Sequence, residues 1–203
     1  MVEDCLINTS TPQVGIQVTF NNANLYDYYA NINLSHINQS LWAYSGSPCA
    51  EWVEAGVTWG FIGTAGCFYY NGEQNNTGNF EAWNNGGAPE NGSSHTWDVY
   101  YLGSGYFEIE RDGVVINTDG GLGYGACESI TGLEISAMVG AEASSGTFNV
   151  SPMWWLDTNG TWHEGWTPYA TFNSYPCGAG YSPPNCFNGA LYSTNYWADN
   201  YPG

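Results

Sequence analysis

Two glutamates carry the chemistry this chain offers. Glu54 sits in Trp52-Val53-Glu54-Ala55-Gly56-Val57-Thr58-Trp59, where residues alternate. Val53, Ala55, Val57 and Trp59 form one face of a strand, and Trp52, Glu54, Gly56 and Thr58 form the other. A carboxylate in mid-strand beside an aromatic and small residues is costly if it is buried unpaired, so it needs a partner or a job. The stretch 132–146 repeats the pattern, with Ala137, Val139, Ala141 and Ala143 on one face and Met138, Gly140, Glu142 and Ser144 on the other. Two carboxyls held close share a proton, because both cannot comfortably ionise together. Such a pair supplies what amide hydrolysis needs: a base for water, a donor for the oxyanion and an acid for the leaving amine.

The elements that would position this pair read as strands. Val14, Ile16, Val18 and Phe20 alternate over 12–20, and 39–44, 52–61, 67–71, 79–83 and 95–102 follow, with polar loops at 72–78 and 84–93. Asp112-Gly113 between Tyr-Phe-Glu-Ile-Glu-Arg and Val-Val-Ile-Asn-Thr is a strong hairpin signal. Strands are expected at 132–143 and 147–156, with 161–166 pairing back after the Asp157–Gly160 turn. Strand signals at intervals of roughly ten residues imply an all-β, two-sheet antiparallel β-sandwich of the concanavalin-like or jelly-roll type. At 203 residues one domain spans 1–203, and 168–203 reads as an irregular, disulfide-held C-terminal tail.

Composition agrees. Ten Trp and sixteen Tyr, with many Gly and Asn and no Lys, favour strands and turns over helices. The net charge of −18, with Arg111 the single basic residue among Lys and Arg, excludes nucleic-acid binding, since nothing neutralises phosphates. No apolar run approaches the roughly 18 residues of a membrane span. Scarcity of bases suits low pH: with carboxyls protonated, only Arg111, the histidines and the amino terminus repel one another. The start at Met1-Val2-Glu3-Asp4-Cys5 reads as a mature domain whose export segment has been removed.

The six cysteines show no C-x-x-C spacing, and His36, His95 and His163 do not cluster with them, so no metal and no cofactor is expected. Disulfides in an oxidising compartment are the better reading, which makes the protein secreted. Cys177–Cys186 would close a short Gly/Pro loop, Cys49–Cys67 would join neighbouring strands, and Cys5–Cys127 remains. N-x-S/T matches at Asn8, Asn33, Asn38, Asn75, Asn91, Asn149 and Asn159 lend weak support to export.

The segment Ser-Leu-Trp-Ala-Tyr-Ser-Gly-Ser-Pro-Cys-Ala-Glu-Trp-Val-Glu-Ala-Gly-Val resembles the secreted glutamic peptidases, the eqolisin family. There a Trp-containing strand leads through a Gly turn and a Cys to a strand carrying a catalytic Gln. In this chain that position is Glu54. The family's downstream Glu after Ala corresponds to Ala141-Glu142, and the intervening Cys-Phe-Tyr-Tyr-Asn-Gly-Glu matches in character. The resemblance covers about 40–145. It implies a sandwich of two bent antiparallel sheets and endopeptidase cleavage at acid pH, with a polypeptide as substrate and Glu54 and Glu142 as the catalytic pair. Glu in place of Gln is a departure, although the related neprosin-type peptidases use a Glu pair. On this reading Glu142 is the base and then the acid, and protonated Glu54 polarises the carbonyl; the roles of a coupled pair could also be reversed. Trp42 and Trp52 are the candidates for lining a substrate groove, Trp52 because it shares Glu54's face.

Other side chains have plainer readings. Glu108 and Glu110 share a solvated face with Arg111 nearby, Glu51, Glu73, Glu81 and Asp98 are surface acids, and the histidines have no context for a triad. Two other classes of function remain open. Exposed Trp and Tyr on a sandwich stack on sugars, and paired carboxylates also cleave glycosides; lacking the E-x-D-x-x-E spacing, a non-catalytic glycan-binding module is the stronger version. A Lys-free, Asn/Tyr-rich, disulfide-bearing surface also suits the self-associating subunit of an extracellular filament or coat.

Overall fold

The computed structural model describes residues 13–22, 25–27, 36–45, 51–62, 64–74, 80–84, 87, 92–119, 126–135, 143–144, 147–165, 190–193 and 196–199, for some of them the backbone alone. The described strands are β1 (Gln13–Asn21), β2 (Tyr26–Asp27), β3 (His36–Ser45), β4 (Glu51–Ile62), β5 (Thr64–Gln74), β6 (Phe80–Asn84), β7 (Ser94–Gly103), β8 (Tyr106–Arg111), β9 (Val114–Asp119), β10 (Ala126–Ile135), β11 (Ala143–Ser144), β12 (Phe148–Asp157), β13 (Trp162–Glu164), β14 (Ala190–Ser193) and β15 (Tyr196–Asp199).

The chain folds as an antiparallel sandwich. One layer runs β10-β3-β4-β5-β6; the other runs β14-β15-β12-β1-β7-β8-β9, with β13 beside β12. A single rung, Gln13 opposite Ala126, joins the layers at β1 and β10. β11 and β2 form a separate ribbon. Alternation explains the core. Ile16, Val18 and Phe20 of β1, Trp97 and Val99 of β7, Phe107 and Ile109 of β8, and Phe148, Val150 and Met153 of β12 meet Leu41 and Ala43 of β3 and Val53, Ala55 and Val57 of β4. Each strand gives one face to this interior, as period-two patterning requires. Phe20 stacks on Trp97 and meets Phe148 edge-on.

The hairpin at Asp112-Gly113 forms as expected, both residues at positive φ and Arg111 opposite Val114. Other expectations need correction. The strand expected from Gly132 is β10, which begins at Ala126 and ends at Ile135. Its Ala-Cys-Glu-Ser-Ile-Thr start lacks a clean period of two, which hides it. The tail expected to be irregular contains a hairpin, β14–β15, whose second strand, β15, pairs with β12. Cys5, Cys49, Cys177 and Cys186 lie outside the described residues, and of Cys67 in β5 and Cys127 in β10 only the backbone is described.

Two acids read as surface groups are buried: Glu51 is 6% exposed and Asp98 2%. Alternation places Asp98 on the outer face of its sheet but does not say what covers it. Gln17 stands opposite it on one side and Glu110 on the other. Gln17 Nε2 donates to Asp98 Oδ1 at 2.6 Å, and the Tyr100 hydroxyl donates to the same oxygen at 3.3 Å. Burial pushes Asp98 up to about 6, helped by the charges of Glu110 and Asp112 and opposed by those two bonds. Arg111 does not pair with Glu110. It points the other way, its guanidinium 4.0 Å from the Tyr69 ring centroid.

One glycine sets the spacing within the first layer. β3 and β4 pair without a slip from His36 opposite Gly60 to Ser45 opposite Glu51. A Cβ at Gly56 would stand 2.1 Å from the Gln39 carbonyl oxygen and 2.8 Å from Ser40 Cα. Both contacts are with backbone, which cannot turn aside as a side chain can.

Gly56→Ala is therefore expected to cost about 3 kcal/mol or more, by overpacking against a rigid strand, read as a lowered urea midpoint. Asp98 holds its proton more tightly folded than unfolded, so its contribution is full below about pH 4 and fades as pH rises through about 6. Asp98→Asn is expected to leave stability at pH 3 unchanged and to raise it by of order 2 kcal/mol at pH 7, read from denaturation midpoints at both pH values.

Candidate active site

β4 places Glu54 on the face turned away from the core, as alternation anticipates. Its neighbours Val53 and Ala55 are fully buried in the sandwich interior. On Glu54's face the register brings Trp42 opposite Glu54, Ser40 opposite Gly56 and Asn38 opposite Thr58. From the other side β5 sets Gly72 opposite Glu54, Tyr70 opposite Gly56 and Phe68 opposite Thr58. Gly56 and Gly72 carry no side chain on this face, the β3 backbone closes in on Gly56, and polar groups from three strands gather beside Glu54.

The Tyr70 hydroxyl donates a short hydrogen bond to Glu54 Oε1. Ser40 Oγ lies 2.6 Å from the same hydroxyl, so with the phenol proton on Glu54 the serine donates to the tyrosine. Asn38 Nδ2 reaches Oε1 at 3.4 Å. Glu54 is 2% exposed, and Ser40 and Tyr70 are fully buried. The carboxyl is thus enclosed, with Tyr70 and Asn38 both donating to Oε1. Because Oε1 accepts, a proton on Glu54 resides on Oε2. That geometry suits a carboxylic acid that donates from one oxygen while the other is held.

Trp42 is 6% exposed and lies across from Glu54; Trp52 is half-buried on the same face. Trp59 packs on the core, as its place in the alternation implies. Glu142 lies outside the described residues, so β4 brings one member of the expected pair into view. Asn38, Ser40 and Tyr70 were not legible as site residues. Their types carry no motif, and only the register between β3, β4 and β5 gathers them. The N-x-S match at Asn38 is buried within a strand and offers no surface acceptor.

A second polar cluster lies at the edge of the sandwich. His95 Nδ1 is 2.6 Å from Asp112 Oδ2, and His95 Nε2 is 2.8 Å from the Tyr69 hydroxyl and 3.3 Å from Ser93 Oγ. Asn22 Nδ2 donates to both Ser93 Oγ, at 2.7 Å, and the Tyr69 hydroxyl, at 3.2 Å. Ser93, His95 and Asp112 follow the order of a nucleophile, base and orienting acid, but the closer partner of Nε2 is the tyrosine. The cluster ties β5 to β7 and the β8–β9 turn, a structural role. Burial raises Asp112, yet the bonds from His95 and the Thr96 N–H outweigh it and leave the carboxyl below its usual range. Among the described residues no group of His, Cys, Asp and Glu is arranged to hold a metal ion.

No family model matches the sequence, and no curated protein matches it. Solved structures do. Scytalido-glutamic peptidase with a transition state analog inhibitor aligns at a TM-score of 0.58 and 11% identity, covering 97% of this chain and 96% of that one. SCP-B, a member of the eqolisin family in complex with the tripeptide Ala-Ile-His, aligns at 0.55 and 10% identity, covering 98% of this chain and 96% of that one. At such identities the likeness speaks for the fold, and the fold of this chain is that of the eqolisin glutamic peptidases.

Proposed function

We propose that this protein is a secreted, acid-acting endopeptidase that hydrolyses peptide bonds in polypeptides with a carboxyl pair to which Glu54 belongs. The observation that carries this reading is Glu54 itself, a mid-strand carboxyl held at one oxygen by Tyr70 in a sandwich shaped like the glutamic peptidases. Protonated Glu54 donates from Oε2 to the scissile carbonyl. A second carboxylate takes a proton from water as the water oxygen bonds to the carbonyl carbon. The proton then passes to the amide nitrogen as the C–N bond breaks, and the oxyanion collapses to the new carboxyl. The sequence pattern nominates Glu142 for the second group. Activity belongs to the pH range in which the pair keeps one proton.

Among the described residues the glycan-binding reading gains no such support. Exposed Trp162 meets Tyr100 edge-on at 83°, which does not make the flat platform that sugar stacking needs.

Replacing Glu54 separates a hydrogen-bond donor from a titrating acid. In Glu54→Gln the amide oxygen accepts from Tyr70 while the NH2 takes the place of the Oε2 proton. Cleavage of a denatured protein substrate between pH 2 and 7 is expected to be confined to acid pH in the wild type. Glu54→Gln is expected to keep activity within about tenfold and to extend it to higher pH, whereas Glu54→Leu loses about 100-fold or more. A correctly oxidised wild type that cleaves nothing across this range would sink the peptidase reading.

A further inference from the structure

We propose that the Tyr69 hydroxyl is an acid-released latch between the two layers, closed while His95 is neutral and opened when the imidazole takes a second proton. Tyr69 belongs to β5 in the first layer, and His95 stands at the start of β7 in the second. His95 shares the core-facing side of β7 with Trp97 and Val99, so the two rings meet across the interior, edge to face at 5.3 Å. His95 Nδ1 lies 2.6 Å from Asp112 Oδ2. Asp112 sits below its usual carboxylate range and only accepts, so Nδ1 carries a hydrogen. In the neutral ring Nε2 is then an acceptor, and the Tyr69 hydroxyl donates to it at 2.8 Å. Among the described residues the hydroxyl's other partner is Asn22 Nδ2, a donor at 3.2 Å that also bonds to Ser93 Oγ at 2.7 Å. The phenol proton therefore goes to His95.

Protonation reverses the polarity of this contact. Nε2–H becomes a donor facing an oxygen that already carries a proton and already accepts from Asn22. Tyr69 is 8% exposed, so its hydrogen is not handed to solvent, and a buried donor without an acceptor is costly. The His95 side chain keeps 21% exposure, enough to exchange protons with water. Charge acts in the same direction. Arg111, the one Lys or Arg of the chain, lays its guanidinium 4.0 Å from the centre of the Tyr69 ring. An imidazolium adds a second cation against that ring. Asp112 favours the charged imidazole, but it acts at Nδ1 and gives the phenol proton no acceptor. Among the described residues the other groups facing His95 do not titrate: Phe20 opposite it on β1, Asn22 and Ser93. Ser93 Oγ, at 3.3 Å, is the acceptor to which Nε2–H turns when Tyr69 is released. The latch bears on the candidate active site through one strand. Tyr69 holds β5 from the interior, while Tyr70, the next residue, reaches Glu54 on the opposite face. The switch itself does not depend on the peptidase reading.

Backbone hydrogen exchange of β5 tests this, measured by mass spectrometry on the full chain from about pH 8 to about pH 4, a span that brackets the titration of histidine side chains. Rates are corrected for the intrinsic effect of pH, and wild type is compared with Tyr69→Phe, His95→Gln and Asp98→Asn. In the wild type, protection of β5 is expected to fall about tenfold across the span, as a buried hydrogen bond is lost and local opening becomes easier. Tyr69→Phe keeps the ring and its contact with Arg111, so it folds, but it has no hydroxyl to strand; its protection is expected to be lower than wild type at the upper end and flat with pH. His95→Gln places an amide where Nε2 stood, which accepts from Tyr69 at any pH, and is expected to be flat too. Asp98→Asn removes another group that titrates in this range and is expected to keep the wild-type fall. A flat wild type overturns the latch. A fall of wild-type size in Tyr69→Phe and His95→Gln also overturns it, because a tie of merely structural kind lowers protection without changing its pH dependence. So does a fall that disappears in Asp98→Asn alone.

Discussion

A carboxyl inside a sheet is tolerable only where donors reach it, and at Glu54 they reach it across a residue with no side chain. Gly56 lets the β3 backbone come close, and the Tyr70 hydroxyl, from the residue opposite Gly56, meets Oε1. The Ser40–Tyr70–Glu54 chain and the Asn38 contact all depend on that close approach of β3 to β4. Any larger residue there would part the strands and the donors together. The same constraint explains why the carboxyl leans one way along the strand, since Trp42 stands directly opposite it while Gly56 does not obstruct.

The rest of the molecule responds to acid in two opposite ways. Asp98 favours its neutral form because Gln17 and Tyr100 cover it and Glu110 lies alongside. Asp112 and Asp157 favour ionisation. The bond from His163, followed by the Thr161 N–H, lowers Asp157, while His95 and the Thr96 N–H do the same for Asp112 against the effect of burial. Both lowered acids sit at turns, Asp112 in the β8–β9 hairpin and Asp157 where β12 turns to β13. Acid therefore relieves a strain in the body of the second sheet while loosening its turns. Scarce cations limit self-repulsion at low pH, but they do not by themselves make the fold acid-stable.

Period-two patterns were legible wherever a strand separates the core from something different. β4 is the clear case, with Val53, Ala55 and Val57 inside and Glu54 on the other face, and the Asp112-Gly113 turn is another. Alternation assigns a face but not its covering, which is why Asp98 read as a surface acid; Glu51 read so because the strand was expected to begin at Trp52, whereas β4 begins at Glu51, on the face of Val53 and Ala55. Arg111 shows the same limit: one residue from Glu110, it faces Tyr69 instead. The donors around Glu54 were illegible for a different reason. Asn38, Ser40 and Tyr70 become neighbours only through long-range register, which no local pattern encodes. The β14–β15 hairpin was hidden among Tyr, Pro, Gly and Asn, and its strands are short enough to look like loop.

β1, near the start of the sequence, lies in the middle of its sheet between β7 and β12. Gln17 bonds to Asp98 across 81 positions, and Asn21 bonds to the Thr147 carbonyl across 126. Such closures make for slow, late folding, because loop entropy must be overcome before the contacts that offset it exist. During synthesis β1 emerges early and waits with both edges open. One edge is filled only when β7 arrives and the other only when β12 does, so most of the chain must be made before the second sheet is whole. The protein is least protected from wrong strand pairing while it is being completed.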